Sequence, residues 1–175
     1  MTASVVGISG SPGSASRSRT LLELALASLE RHGAGTSRLI DLARLPADAL
    51  LGRREDSEVA EALQATRDAA ILVISTPIYR ATYSGLLKVF FDLLPQDALA
   101  GKIAIPIATG GGPTHLLAVD HGLRPLLASV GALVVATGVY GTDAQFRNGA
   151  PDTALAERVE RATLEAASLA SGVTT

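Results

Sequence analysis

Short apolar runs alternate with segments of helical period along the whole chain. The runs at 4–9 (SVVGIS), 37–42 (SRLIDL), 70–76 (AILVIST), 103–109 (IAIPIAT) and 133–139 (LVVATGV) predict strands. All but the second are apolar at nearly every position, the pattern of strands covered on both faces. Between and after them, apolar residues recur at helical spacing: Leu22, Ala25, Leu26 and Leu29; Val59, Ala62 and Leu63; Leu87, Phe90, Phe91 and Leu94; Leu116, Val119, Leu123, Leu126 and Val130; Leu155, Val159, Ala162, Ala166 and Leu169.

Five βα units in succession require crossover connections, so the strands lie parallel with helices on both faces. The expected architecture is a doubly wound, five-stranded parallel sheet of flavodoxin-like order 2-1-3-4-5, with 3-2-1-4-5 as the competing order. No linker or repeat divides the chain, so residues 1–175 are expected to form one domain, with a frayed tail at 171–175.

Composition narrows the function. The 175 residues include no Cys, which excludes disulfides, thiolate metal sites and a thiol nucleophile. A net charge of −2 and the absence of a basic block longer than a pair argue against nucleic acid. The start lacks a leader pattern, and no apolar run approaches the ~18 residues of a membrane span, so a cytoplasmic protein is expected. Charged residues make up only 18% of the chain. That is below the roughly 25% usual in globular domains and points to a homo-oligomer.

In a doubly wound sheet the ligand sits beyond the carboxyl ends of the strands, where the winding reverses. Three segments leave those ends with unusual chemistry. Residues 10–20 (GSPGSASRSRT) offer hydroxyls, two guanidinium groups and a helix N-terminus, as a phosphate monoester requires. They match neither the P-loop nor G-x-G-x-x-G. A flexible loop with a helix cap at Ser16 or Ser18 is the simpler alternative. Residues 76–88 (TPIYRATYSGLLK) present backbone edges and flat apolar surface to a planar ring. Residues 109–113 (TGGGP) let main-chain N–H groups approach a ligand closely.

With these segments in order, GSPGSASRSRTLL at 10–22, TPIYRATYSGLLKVFFDLLP at 76–95 and IPIATGGGPTHLLAVDHGLRPLL at 105–127, the chain resembles the NADPH-dependent FMN reductase family. It looks most like the reductases that supply reduced flavin to two-component sulfonate monooxygenases. The resemblance implies FMN and NADPH, or NADH, as the redox pair, and a flavin-dependent monooxygenase as a partner. It places the FMN phosphate on Ser11, Arg17, Ser18 and Thr20. Pro77, Ile78, Tyr79 and Arg80 would line the isoalloxazine, and Thr109, Gly110, Gly111 and Gly112 would close its pyrimidine side. No side chain is then needed as acid or base, because the hydride chemistry belongs to the cofactors. In several relatives the position of His121 is a tyrosine in an irregular turn at a subunit interface. Here His121-Gly122 and Pro125 predict a kink near 121–125. The chain after Val139 is shorter than in those relatives.

Other readings of the same residues are weaker. His115 and His121, six apart, fall on different faces of a regular helix. No metal-ligand spacing is present, and Ser9, Ser11 and Ser84 lie in no nucleophile elbow. A flavin-bound quinone, azo or chromate reductase would use the same pocket. An electron carrier of flavodoxin type would be expected to be more acidic. The expected subunit interface uses the 82–95 and 113–131 helices, whose apolar stripes (Leu86, Leu87, Phe90, Phe91, Leu116, Leu117, Leu123, Leu126, Leu127) look too wide for one sheet face.

Overall fold

Val5–Ser9 (β1) is an interior strand of the sheet, and all five of its residues are buried. It pairs in parallel with Ser37–Asp41 (β2) on one side and with Ile71–Tyr79 (β3) on the other. Ile103–Gly110 (β5) extends the sheet beyond β3, followed by Leu133–Val134 (β6) and Val139–Thr142 (β7), which both pair with β5. The order β2-β1-β3-β5-β6 is the 2-1-3-4-5 winding, and the competing order is excluded. The computed structural model describes residues 4–172.

Side chains alternate across a strand, so β1 feeds two cores. Val5 packs with Leu22, Leu26, Val73, Ile105 and Val159 beneath Arg17–Arg31 (α1) and Thr153–Gly172 (α6). Val6 and Ile8 pack on the opposite face with Leu72, Ile74, Phe90 and Leu127. That face is covered by Ala47–Leu50 (α2), Ser57–Asp68 (α3), Gly85–Phe91 (α4) and Arg124–Ser129 (α5). Each Leu, Ile or Phe sealed here contributes roughly 1.5–3 kcal/mol through burial.

The structure departs from the sequence-based expectations at several points. β3 does not stop at Thr76. It continues through Pro77 to Tyr79 and turns back antiparallel into Thr82–Tyr83 (β4), with Arg80 and Ala81 both at positive φ (50° and 73°). Two-residue hairpin turns of this kind favour Asn-Gly or Asp-Gly, and Arg-Ala carries no such signal. The fifth strand is split in two, with 135–138 bridging the pieces. The bridge is held by side chains: Arg124 donates to the Val135 and Ala136 carbonyls (both 2.6 Å), Arg158 donates to Gly138 O (2.6 Å), and Glu165 accepts from the amides of Ala136 (2.5 Å) and Thr137 (2.9 Å).

The expected 113–131 helix is a succession of a 3-10 turn (Pro113–His115), a wide π-type turn (Val119–Leu123) and α5. The kink thus lies where Gly122 and Pro125 predict it. Gly122 lets the turn pack close to β4: Thr82 Oγ1 lies 2.7 Å from where a Cβ would stand, so a side chain there would have to displace that hydroxyl. The altered pitch also brings His115 and His121 to one hollow beside Ala81 and Thr82, although six residues on a regular helix would separate them.

The wide apolar stripe is largely absorbed by the sheet. Leu87, Phe90, Phe91, Leu123, Leu126 and Leu127 are buried in the single chain, and Leu86 is partly buried. Leu116 and Leu117 alone of the stripe are exposed, at 52% and 60%. At the far end, Ser171 and Gly172 still belong to α6, and the rest of the expected frayed tail, 173–175, lies outside the described residues. Among the described residues no helix is long and apolar enough to cross a membrane.

Candidate functional site

The winding reverses between β1 and β3, and a cleft of about 240 Å³ opens there at the carboxyl ends of the strands. It is lined by Ser11 after β1, Ala15 to Arg17 at the start of α1, Pro77, Ile78 and Tyr79 at the end of β3, Thr109, Gly110 and Gly111 at the end of β5, and Asp143 after β7. The three segments singled out in the sequence therefore converge. A larger hollow, about 720 Å³, lies between α2 and α3. Its Arg54 is already paired with Asp48 (2.6 Å) and Asp56 (2.8 Å), and its lining includes none of the three segments singled out in the sequence.

The end of the cleft expected to take a phosphate is built by the start of α1. Ser16 caps the helix: its Oγ accepts from Arg19 N (3.2 Å) and its carbonyl accepts from Thr20 N (3.1 Å). The first turn of a helix leaves its leading amides unpaired, and among the described residues those of Arg17 and Ser18 have no protein acceptor. Ser11 is buried, and its hydroxyl makes only long contacts with Gly13 (3.4 Å). Arg17 stands half-exposed over the Phe146 ring, 5.9 Å from its centroid, and pairs with Asp143 at 3.0 Å. Amides, a loosely bonded hydroxyl and a guanidinium at the positive end of a helix fit a phosphate monoester.

The expected phosphate ligands do not all reach this cleft through their side chains. Ser18 is fully buried, and its hydroxyl is bonded to Ser16 Oγ (3.0 Å), so it offers only its amide. Thr20 turns its hydroxyl back to the Ser16 carbonyl (3.3 Å). The helix begins at Arg17 and commits both side chains to its own first turn. Arg19 is engaged by Asp41 (2.7 Å) and Glu23 (2.9 Å), which also hold its guanidinium pKa above the ordinary value.

On the ring side, Pro77 and Ile78 are tucked into the strand end and Tyr79 is 52% exposed. Arg80 sits at the hairpin tip, outside the cleft lining. Ser84 fixes the hairpin to the phosphate loop. Its Oγ donates to Gly10 O (2.5 Å) and caps α4 by accepting from Leu87 N (3.1 Å), while its amide donates to Thr76 Oγ1 (3.0 Å).

The glycine segment is less free than its composition suggests. Gly110 is the last residue of β5 and pairs with Thr142. A Cβ there would run into the Tyr140 hydroxyl. That hydroxyl donates to Gly112 O at 2.7 Å, which places Gly112 behind the cleft lining. Burial, and then the negative charge of Asp143, push the Tyr140 phenol above its ordinary pKa, so it stays a donor at neutral pH. Gly111 has open space where a side chain would be, and its backbone faces the cleft uncovered.

Three cleft residues are not among the ligands expected from the sequence, although Ser16 is one of the two cap positions it offers. Ala15 and Ser16 belong to the loop identified there but were not expected as ligands. Asp143 arrives from a part of the chain that carries no motif. A cap-like Thr142-x-x-Gln145 spacing marks the turn, yet only the fold brings it to Arg17.

The model of the family described as NADPH-dependent FMN reductase matches residues 3–146. The chain belongs to that family. It is 40% identical over 159 residues to "FMN reductase (NADPH)" of Pseudomonas putida, covering 89% of this chain and 80% of the relative. It is also 40% identical over 145 residues to "NADH-dependent FMN reductase SfnF" of Pseudomonas fluorescens, covering 81% and 78%. Among solved structures, an NADH:FMN oxidoreductase (EmoB, apo form) superposes with a TM-score of 0.89 at 42% identity, over 95% of this chain and 89% of that one. A Streptococcus pneumoniae flavodoxin, at 16% identity and a TM-score of 0.62, shares the fold. This flavodoxin-like protein is thus an NAD(P)H-dependent FMN reductase by family.

Proposed function

We propose that this reductase takes FMN by its phosphate at the α1 N-terminus, lays the ring against residues 77–79 and 109–111, and passes the reduced flavin to a flavin-dependent monooxygenase. The convergence of Arg17, the free α1 amides and the uncovered Gly111 backbone in one cleft carries this reading. When bound, the flavin supplies the chemistry by accepting a hydride from the reduced nicotinamide.

The protein's part is positioning and electrostatics. Arg17 and the amides of Arg17 and Ser18 hold the phosphate dianion, and Ser11 adds a hydroxyl. Pro77 and Ile78 offer apolar surface that excludes water from one edge of the ring. The main chain at Gly110 and Gly111 lines the cleft, where fixed amides would stabilise negative charge collecting on the pyrimidine side because they need no reorganisation. Tyr140, by fixing Gly112, keeps those amides in place.

The working form we infer is a homodimer or homotetramer that covers Leu116 and Leu117, acting in the cytoplasm where reduced nicotinamide nucleotides are held. The direct test of the site is the affinity for FMN against riboflavin by fluorescence titration. Charge-assisted contacts are worth about 1.5–3 kcal/mol each, so FMN should bind at least about tenfold more tightly, and Arg17→Ala should remove most of the difference. Equal affinities for the two flavins would contradict the phosphate assignment.

A further inference from the structure

Arg17 and Asp143 are the charged side chains of the cleft lining, and they are of opposite sign. Arg17 Nη1 lies 3.0 Å from Asp143 Oδ1, and both side chains are half-exposed. The cleft that takes a phosphate dianion therefore carries no net side-chain charge, and its one guanidinium is already held by a carboxylate. From this geometry we propose that Asp143 is a counter-ligand that competes with the FMN phosphate for Arg17 and sets flavin binding weak enough for rapid exchange. The proposal rests on the phosphate assignment given above.

The competition follows from how each partner is mounted. Half-exposed ion pairs are weak, so an arriving dianion can draw the guanidinium away. Phe146 lies under Arg17, 5.9 Å from ring centroid to guanidinium, and supports it from the side of the chain that also carries Asp143. The backbone that carries the carboxylate is held in place. Asp143 opens a 3-10 turn closed at both ends by Thr142 and Gln145, whose Oε1 accepts from Thr142 N (3.1 Å) and Oγ1 (3.2 Å). Once phosphate has taken Arg17, a negative carboxylate still lines the same cleft, and like charges at that spacing repel. Both effects weaken FMN and neither touches riboflavin, which lacks the phosphate. Asp143 is thus a specificity-setting residue that acts on the phosphate end alone.

The test is Asp143→Asn, which keeps the size and removes the charge. FMN and riboflavin dissociation constants are measured for wild type and variant at two salt concentrations, with circular dichroism to verify the fold and Asp143→Ser as a second variant. The expected result is FMN binding tightened about tenfold and riboflavin unchanged. In the variants FMN affinity should also fall with added salt more steeply than in wild type, because the cleft now carries net positive charge. Unchanged or weakened FMN binding in both variants would overturn the competition, while a surviving wild-type preference for FMN over riboflavin would leave the phosphate site standing. Equal wild-type affinities for the two flavins would overturn the phosphate site and this inference together.

Discussion

Tyr140 reaches across from β7 to donate its hydroxyl to the carbonyl of Gly112, and in doing so occupies the space where a side chain on Gly110 would stand. One phenol thus both anchors the glycine loop and forbids a Cβ at its base. Gly110→Ala should displace the loop and slow flavin reduction, and Tyr140→Phe should release the anchor at a cost of about 1 kcal/mol in stability. Combining them should recover part of the Gly110→Ala defect, since the hydroxyl is gone. Single-turnover reduction rates in a double-mutant cycle read the coupling, and strict additivity would contradict the contact.

Gly111 gives the complementary case. A Cβ there meets nothing within 4 Å beyond its chain neighbours, so Gly111→Val should fold normally. It would instead occupy the cleft face that carries the main-chain donors. Reduction by NADPH in stopped flow should fall at least about tenfold, with a smaller change in FMN affinity, because the phosphate is held elsewhere. Wild-type rates in this variant would assign the loop a purely structural role.

Ser84 ties three segments together with its one hydroxyl and its amide. Ser84→Ala removes the α4 cap and leaves the Gly10 carbonyl without its donor in a buried setting. Losses of about 2 kcal/mol follow from the two effects, readable as a lowered denaturation midpoint. A change within about 0.5 kcal/mol would show that solvent replaces these bonds.

Glu165 holds the bridge between β6 and β7 through two amides. Burial alone would push its carboxyl up, but the amides of Thr137 and Ala136 prevail and hold it below the ordinary 4.5. A carboxyl depressed in the folded state stabilises the fold fully above its unfolded pKa and loses that stabilisation as pH falls through the folded value. Glu165→Gln should therefore destabilise by about 1–2 kcal/mol at pH 7, with the gap to wild type closing as the pH drops below 4.5. A gap that stays constant into acid would contradict the ionised role.

Much of this architecture is legible in the residues. Apolar continuity in β1, β3 and β5 gives the parallel order, and Gly122 with Pro125 gives the wide turn. Three kinds of feature are not legible. The Arg80–Ala81 hairpin uses residues without turn preference and is imposed by its surroundings, Gly122 among them. The split fifth strand depends on Arg124, Arg158 and Glu165, each far in sequence from the 135–138 carbonyls and amides it binds. Asp143 meets Arg17 across 126 positions, and such a long-range charge pair leaves no periodicity to detect. In the 10–20 loop Ser11 and Arg17 reach the cleft, but the helix starts early enough to commit the Ser18 and Thr20 hydroxyls to its own first turn.

This chain is expected to reduce FMN with NAD(P)H at a cleft that recognises the phosphate through Arg17. Anaerobic bleaching of FMN absorbance by NADPH or NADH, followed at varied FMN for wild type and Arg17→Ala, tests it most directly. Wild type should bleach FMN catalytically, and Arg17→Ala should raise the KM for FMN at least about tenfold with kcat largely kept. No bleaching by wild type with either nucleotide, or the same KM for FMN in both proteins, would contradict it.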